Sequence, residues 1–320
     1  MRNVLIALLI LASCPASLAQ SPKWPGKPIR VLIGFAPGGS IDISVRLTAD
    51  IVAKDLGQAL VIEYRPGGAG SVAIEALVRG SHDGHTIVVG SDSSFYQPVL
   101  APSLAYRAET DLRPITILTH QPIVIAVHPA PGWRSVPDLL RSARAQPGEI
   151  AYALSSATGS QAVAASMFFG MAGVKLTGVP YKGGAQAATD LVSGHVPVAV
   201  LGTGPLLPHA KAGKIRLLAV MSKTRARVLP DVPALAELGY PQVDMAQWFG
   251  AVAPANVPQD VVTRLSVAFN KALSDATVSQ RLFDSGLEVV GGTPAEMGRR
   301  MSIETAIWLK AAKQAGLVAP

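Results

Sequence analysis

Ile29-Arg30-Val31-Leu32-Ile33-Gly34-Phe35-Ala36-Pro37-Gly38-Gly39-Ser40-Ile41-Asp42 decides how the rest of the chain is read. Residues Ile29 to Phe35 are apolar and rich in β-branched side chains, the composition of a buried strand. Ala36 to Ser40 is a turn of small residues. From Ile41 the core-facing positions recur at Val45, Thr48 and Val52, a helical spacing that carries to Lys54. Ser40 stands where a helix N-cap is expected. The stretch is therefore strand, glycine turn, helix.

The unit repeats. Leu60 to Glu63 reads as a strand, Arg65 to Gly70 as a loop, Ser71 to Arg79 as a helix and Thr86 to Gly90 as a strand. Alternation of this kind gives an α/β fold with parallel-rich sheets flanked by helices. Ile123 to Val127 is an apolar strand leading into a second lobe. There Ser135 caps a helix to about Ala145, and Glu149 to Leu154 is a strand. Ser155 to Ser160 turns into a helix from about Gln161. Val179 to Gly184 reads as a loop before a helix over 185–192. Val196 to Leu201 and Ile215 to Met221 are strands, and Trp248 to Ala253 returns the chain to the first lobe. Towards the C-terminus Val262, Leu265, Phe269 and Leu273 share one helical face. Thr293-Pro294-Ala295-Glu296 has the form of a capping box, with Met297, Met301 and Trp308 as core residues beyond it. A chain of 320 residues exceeds one core of typical size. The expected division is lobe I over 27–127 and 248–320, and lobe II over 128–247.

Apolar residues make up 49% and charged residues 15%, which excludes a disordered chain. The formal charge of +7 suits either a nucleic acid or small anions. Lys and Arg are scattered, the tightest group being Lys223, Arg225 and Arg227, so no nucleic-acid surface is expected. Arg2, the apolar run Val4 to Ala12 and the small residues Ser17 and Ala19 read as a signal peptide over 1–19, cut before Gln20. Leu11-Ala12-Ser13-Cys14 offers a rival, lipoprotein cut. Cys14 is the single cysteine, so a chain cut after Ala19 has no thiol and no disulfide. The expected location is the periplasm.

Two turns carry the functional reading: Pro37 to Asp42, and Ser155 to Ser160. Each follows a strand and opens a helix. A helix N-terminus presents unpaired N–H groups and the positive end of the dipole, and glycine lets an anion approach them closely. Two such ends facing across a cleft hold a carboxylate without Arg or Lys. The first turn is neither a Walker A loop nor a GxGxxG motif. No GxSxG elbow or HExxH pair occurs, and His82 and His85 flank Asp83-Gly84 in a surface turn. No catalytic residue, metal or cofactor is implied, and the chain reads as a binder.

Phe35-Ala36-Pro37-Gly38-Gly39-Ser40-Ile41-Asp42 followed by Arg46 resembles the opening motif of the Bug family, the solute-binding proteins of tripartite tricarboxylate transporters. The resemblance continues in order through Leu56-Gly57-Gln58, Glu63 to Gly70, Asp83-Gly84-His85-Thr86, Val179-Pro180-Tyr181-Lys182-Gly183, Gly213-Lys214-Ile215-Arg216, Val232-Pro233 with Glu237-Leu238-Gly239, and Ala253-Pro254. It spans nearly the whole chain beyond the signal peptide. It implies a two-lobed Venus-flytrap fold, type II-like, that closes on a small carboxylate and presents it to membrane transporter subunits; the alternative is a ligand-sensing module for a sensor kinase. A dicarboxylate, tricarboxylate, acidic amino acid or aromatic acid would each fit, bound by a monomer. The residues implied in ligand binding are Pro37, Gly38, Gly39, Ser40 and Asp42 from lobe I, with Ser91 beside them. From lobe II they are Ser156, Thr158, Gly159, Ser160, Tyr181, Gly183 and Thr203. Three departures stand out: Tyr64 where the family often has Asn, Gln161-Ala162-Val163 where it often has His, and Pro197 where an acidic residue is usual. The last is expected to alter the distal part of the pocket.

Overall fold

The computed structural model describes residues 24–314. Ten strands occur among them: β1 (Ile29–Ile33), β2 (Leu60–Tyr64), β3 (Thr86–Ser91), β4 (Leu112–Val127), β5 (Ala151–Leu154), β6 (Thr177–Pro180), β7 (Val198–Gly202), β8 (Arg216–Val220), β9 (Ala246–Pro254) and β10 (Glu288–Gly291). The helices are α1 (Ser40–Leu56), α2 (Ser71–Val78), α3 (Asp92–Leu100), α4 (Ala108–Asp111), α5 (Val136–Ala145), α6 (Ser160–Met171), α7 (Gly184–Val192), α8 (Thr203–Lys211), α9 (Gln259–Leu273), α10 (Ala276–Asp284) and α11 (Pro294–Gln314).

The opening unit forms as its pattern dictates. β1 buries Ile29, Val31, Leu32 and Ile33. α1 buries Ile41, Val45, Thr48, Val52 and Leu56 along one stripe, and ends at Gly57, whose left-handed φ of 72° lets its N–H reach Ala53 O. One local expectation fails. The N-cap is Gly39, and Ser40 is the first helical residue, its hydroxyl turned to Gln121 instead of back onto the helix. Similarly, Thr177 to Pro180 is a strand, because it pairs in register with β5.

The strands form two sheets sharing β4. In the first, β1 lies parallel between β2 and β3, and β9 runs antiparallel between β3 and β4, with β10 also on β4. In the second, β4 pairs with β7 and β8, and β5 lies parallel between β6 and β7. β4 changes partner midway: Leu112 to Pro122 faces β9, and Ile123 to Val127 faces β7. It therefore runs through both sheets as one continuous strand. Separate cores form on the two sides. Val45, Val89, Phe249 and Phe269 pack in one, and Leu139, Tyr152, Phe168 and Val200 in the other. Met297, Met301 and Trp308 are buried in a third cluster under α11. The Thr293–Glu296 capping box is formed, with Thr293 N donating to Glu296 at 2.7 Å and Glu296 N to Thr293 Oγ1 at 3.2 Å.

The result is a mixed α/β, two-lobed architecture. The C-terminal ends of β1, β3, β5, β6 and β7 all lead into helices, which is where open α/β sheets place their ligands. No helix among the described residues is long and apolar enough to cross a membrane. The signal-peptide and lipoprotein readings, with Cys14, lie outside the described residues.

Candidate functional site

Five helix N-termini converge on one cavity between the lobes. Gly39 to Asp42 comes from α1, Ser91 from the start of α3, Ser155 and Gln161 from the start of α6, Gly184 from α7, and Gly202 with Pro205 from α8. Apolar walls are supplied by Ile33, Phe35, Ile41 and Phe249. The space, its open mouth included, is about 420 Å³. Among the described residues, no Lys, Arg or His lines it, and Asp42 is the one ionisable side chain that does. The positive potential in the cavity therefore comes from backbone dipoles.

Asp42 is occupied. Its carboxylate accepts from Gly38 N at 2.9 Å, from Arg46 Nε at 2.8 Å and from the Tyr64 hydroxyl at 2.7 Å. The bond to Gly38 folds the turn back on its own helix, at a φ of 82° that favours glycine. Arg46 also donates to Tyr64 at 2.7 Å. The Tyr64 hydroxyl and Asp42 hold the Arg46 guanidinium above its usual range, and burial followed by the bond to Asp42 pushes the Tyr64 hydroxyl up. The triad keeps this end of the cavity close to neutral.

Three glutamines form the floor, and none stood out in the sequence. Gln121 and Gln247 are register partners on the two central strands, and Gln161 is the second residue of α6. They are 2%, 5% and 4% exposed, so their bonds must be internal. Gln121 Oε1 accepts from Ser40 Oγ at 2.8 Å and from Gly204 N at 3.1 Å, joining α1 to α8. Gln161 Oε1 accepts from Ser155 N at 2.9 Å and Ser155 Oγ at 2.8 Å. A backbone N–H can only donate, so both amides have their nitrogens turned inward. Those nitrogens donate to Gln247 Oε1, at 3.0 Å from Gln121 and 3.3 Å from Gln161. Their sequence signal is slight: a lone amide interrupting an otherwise apolar strand.

The residues expected to bind ligand fall into three groups. Gly39, Ser40, Asp42 and Ser91 line the cavity. Thr158, Gly159 and Ser160 instead meet α3 from the other lobe, Ser156 turns its hydroxyl to Thr158 O within the turn, and it is Ser155 and Gln161 of that turn that face the cavity. Gln97 Nε2 donates to Thr158 O at 2.8 Å, and Ser160 N donates to Ser93 Oγ at 3.0 Å. A side chain at Gly159 would press on Ser93 Oγ at 3.1 Å.

The remaining residues lie outside the lining. Pro37 and Gly38 are exposed. Gly183 is a close-approach point, where a Cβ would stand 3.2 Å from Ala36 N; beside it, Ala36 N donates to Lys182 O across the cleft at 2.9 Å. Tyr181 turns its hydroxyl to Asp190 at 2.6 Å, and burial with that bond pushes it up to about 12. Thr203 Oγ1 is spent on Gly286 O at 2.5 Å. Pro197 precedes β7, whose opposite end, Gly202, is the one at the cavity. Five residues of strand are about 16 Å, so Pro197 does not shape the pocket and the expectation built on it is withdrawn.

The profile of the tripartite tricarboxylate transporter family receptor, TctC, matches residues 44–316. The chain belongs to that family. This TctC receptor is 30% identical to protein BugT of Bordetella pertussis over 314 residues, 97% of this chain and 96% of the relative. Among solved structures it is similar to Rpa4515 of R. palustris with adipate, at 31% identity and a TM-score of 0.85, covering 92% of this chain and 98% of that one. It is likewise similar to MatC of Rhodopseudomonas palustris with bound malate, at 27% identity and a TM-score of 0.85, covering 90% and 99%. The TctC family is one of solute-binding receptors with a periplasmic binding-protein fold, not one of enzymes.

Proposed function

We propose that the chain is an exported, periplasmic receptor that captures a small carboxylate between its lobes and presents the closed form to a tripartite tricarboxylate-type membrane transporter. The observation that carries this reading is the convergence of five helix N-termini on a cavity without a cationic side chain. Orphan N–H groups of α1 and α6 would grip the carboxylate, with Gly39, Ser40, Ser91, Gln161 and Gly184 as its walls. Relatives with adipate and malate bound support a carboxylate ligand. Lobe II is taken to begin at Ile123, where β4 changes its pairing partner, instead of after Val127. Closure then bends β4 and β9 and brings α3 against the start of α6. A ligand shifts this equilibrium only by binding the closed form better.

A thermal-shift screen of the chain from Gln20 onward against carboxylic acids tests the proposal. An acid at about a hundred times its dissociation constant adds ~2.7 kcal/mol of stability, a readily measured rise. No shift with any aliphatic or aromatic acid, after refolding to strip retained ligand, would overturn it.

A further inference from the structure

The cavity presents donors, and its amide and carboxylate acceptors are already engaged. Gln121 Oε1, Gln161 Oε1 and Gln247 Oε1 each accept two bonds from protein donors. The Asp42 carboxylate takes three, one of them from a guanidinium. Beyond the neutral serine hydroxyls, what remains free is of the opposite kind. Gln247 Nε2 donates to no acceptor among the described residues, and it is pinned outward because the other two amides claim its oxygen. Around it stand the N–H groups of the helix starts. From this geometry, and resting on the reading of the cavity as a carboxylate site, we infer that the receptor selects acids whose polar atoms are all acceptors and rejects acids bearing an amino group.

The physical reason is charge compensation. An ammonium buried here would meet five positive helix ends and no free anionic acceptor. Hydroxyl oxygens of Ser40 and Ser91 are neutral and cannot offset it. An uncompensated buried charge weakens binding by roughly 100-fold or more. A keto or carboxylate oxygen at the same place would instead receive the Gln247 amide. The specificity-determining residue is therefore Gln247, held in its orientation by Gln121 and Gln161.

The test is binding of matched pairs that differ in the amino group, succinate against aspartate and glutarate against glutamate, with 2-oxoglutarate as a third arm. The amino-free acids should bind at least tenfold more tightly than their partners. In Gln247→Glu, an added carboxylate oxygen replaces the amide nitrogen, and the gap should narrow or reverse. Aspartate or glutamate binding as well as its partner would overturn the inference while leaving carboxylate capture standing. Failure of all five to bind would count against the carboxylate reading itself, and the inference would fall with it. Should Gln247→Glu not fold, the pairwise comparison on the natural chain still decides.

Discussion

Ser93 Oγ lies 3.0 Å from the backbone nitrogen of Ser160, so the first N–H of a lobe II helix is satisfied by a lobe I serine. Both residues are buried, at 2% and 1% exposure, so water cannot replace this bond without the lobes parting. Ser93→Ala leaves a helix N–H unpaired only in the closed form. The expected cost is about 1 kcal/mol of closure, or roughly a fivefold loss of affinity for the acid found in the screen. Calorimetric titration checks it. Unchanged affinity would mean that the contact forms equally in the open form.

Gly39→Asp separates binding from folding. Gly39 has an ordinary φ of −83°, and a Cβ there meets nothing nearer than Ala36 O at 3.9 Å. Asp is a better N-cap than Gly by a few tenths of a kcal/mol. The variant should therefore melt at or slightly above the natural temperature. Its carboxylate would sit where the ligand's is proposed to sit, and titration should detect no binding.

Gly204→Ala is a wedge. A Cβ at Gly204 would stand 2.4 Å from Ser40 Oγ and 3.2 Å from Ser40 Cβ, forcing α8 away from α1. Binding should weaken at least tenfold. Small-angle scattering should show that the added acid no longer compacts the chain as it does the natural one.

Asp92 gives a pH signature. It opens α3 at 3% exposure, and its carboxylate accepts from Ser93 N at 2.7 Å and Ser93 Oγ at 3.2 Å. Burial pushes it up to about 7, with Glu304 adding to the rise and Ser93 and Arg300 opposing it. A carboxyl raised in the folded state binds its proton more tightly there than in the unfolded chain. Its contribution to stability is therefore full below the unfolded value near 4 and is lost as pH rises through about 7. Asp92→Asn should raise the urea midpoint at pH 8 and change it little at pH 4. An equal effect at both would show that ionisation is not the cause.

Much of the fold was legible in the sequence because strand and helix periods are local. Ile29 to Leu56 needed only its own pattern, and the Thr293 capping box needed four residues. The second turn misled in detail. Ser156 to Ser160 has the composition of an anion loop, yet its partners Ser93 and Gln97 lie more than sixty positions away, and nothing local reports that they meet. The glutamine floor was hidden for the same reason. Gln121 and Gln247 become neighbours only through the pairing of β4 with β9, and Gln161 joins them only when the lobes approach. Pro197 shows the converse: its departure from the family pattern suggested an altered pocket, but the length of β7 separates it from the end at the cavity.

The most direct test is a crystal structure of the chain with the acid that gives the largest thermal shift. The carboxylate should lie between the first turns of α1 and α6, within hydrogen-bond reach of their free N–H groups and above Gln247. An acid found elsewhere, such as the cavity lined by Met167, Met245 and Trp308, would contradict the account of the site.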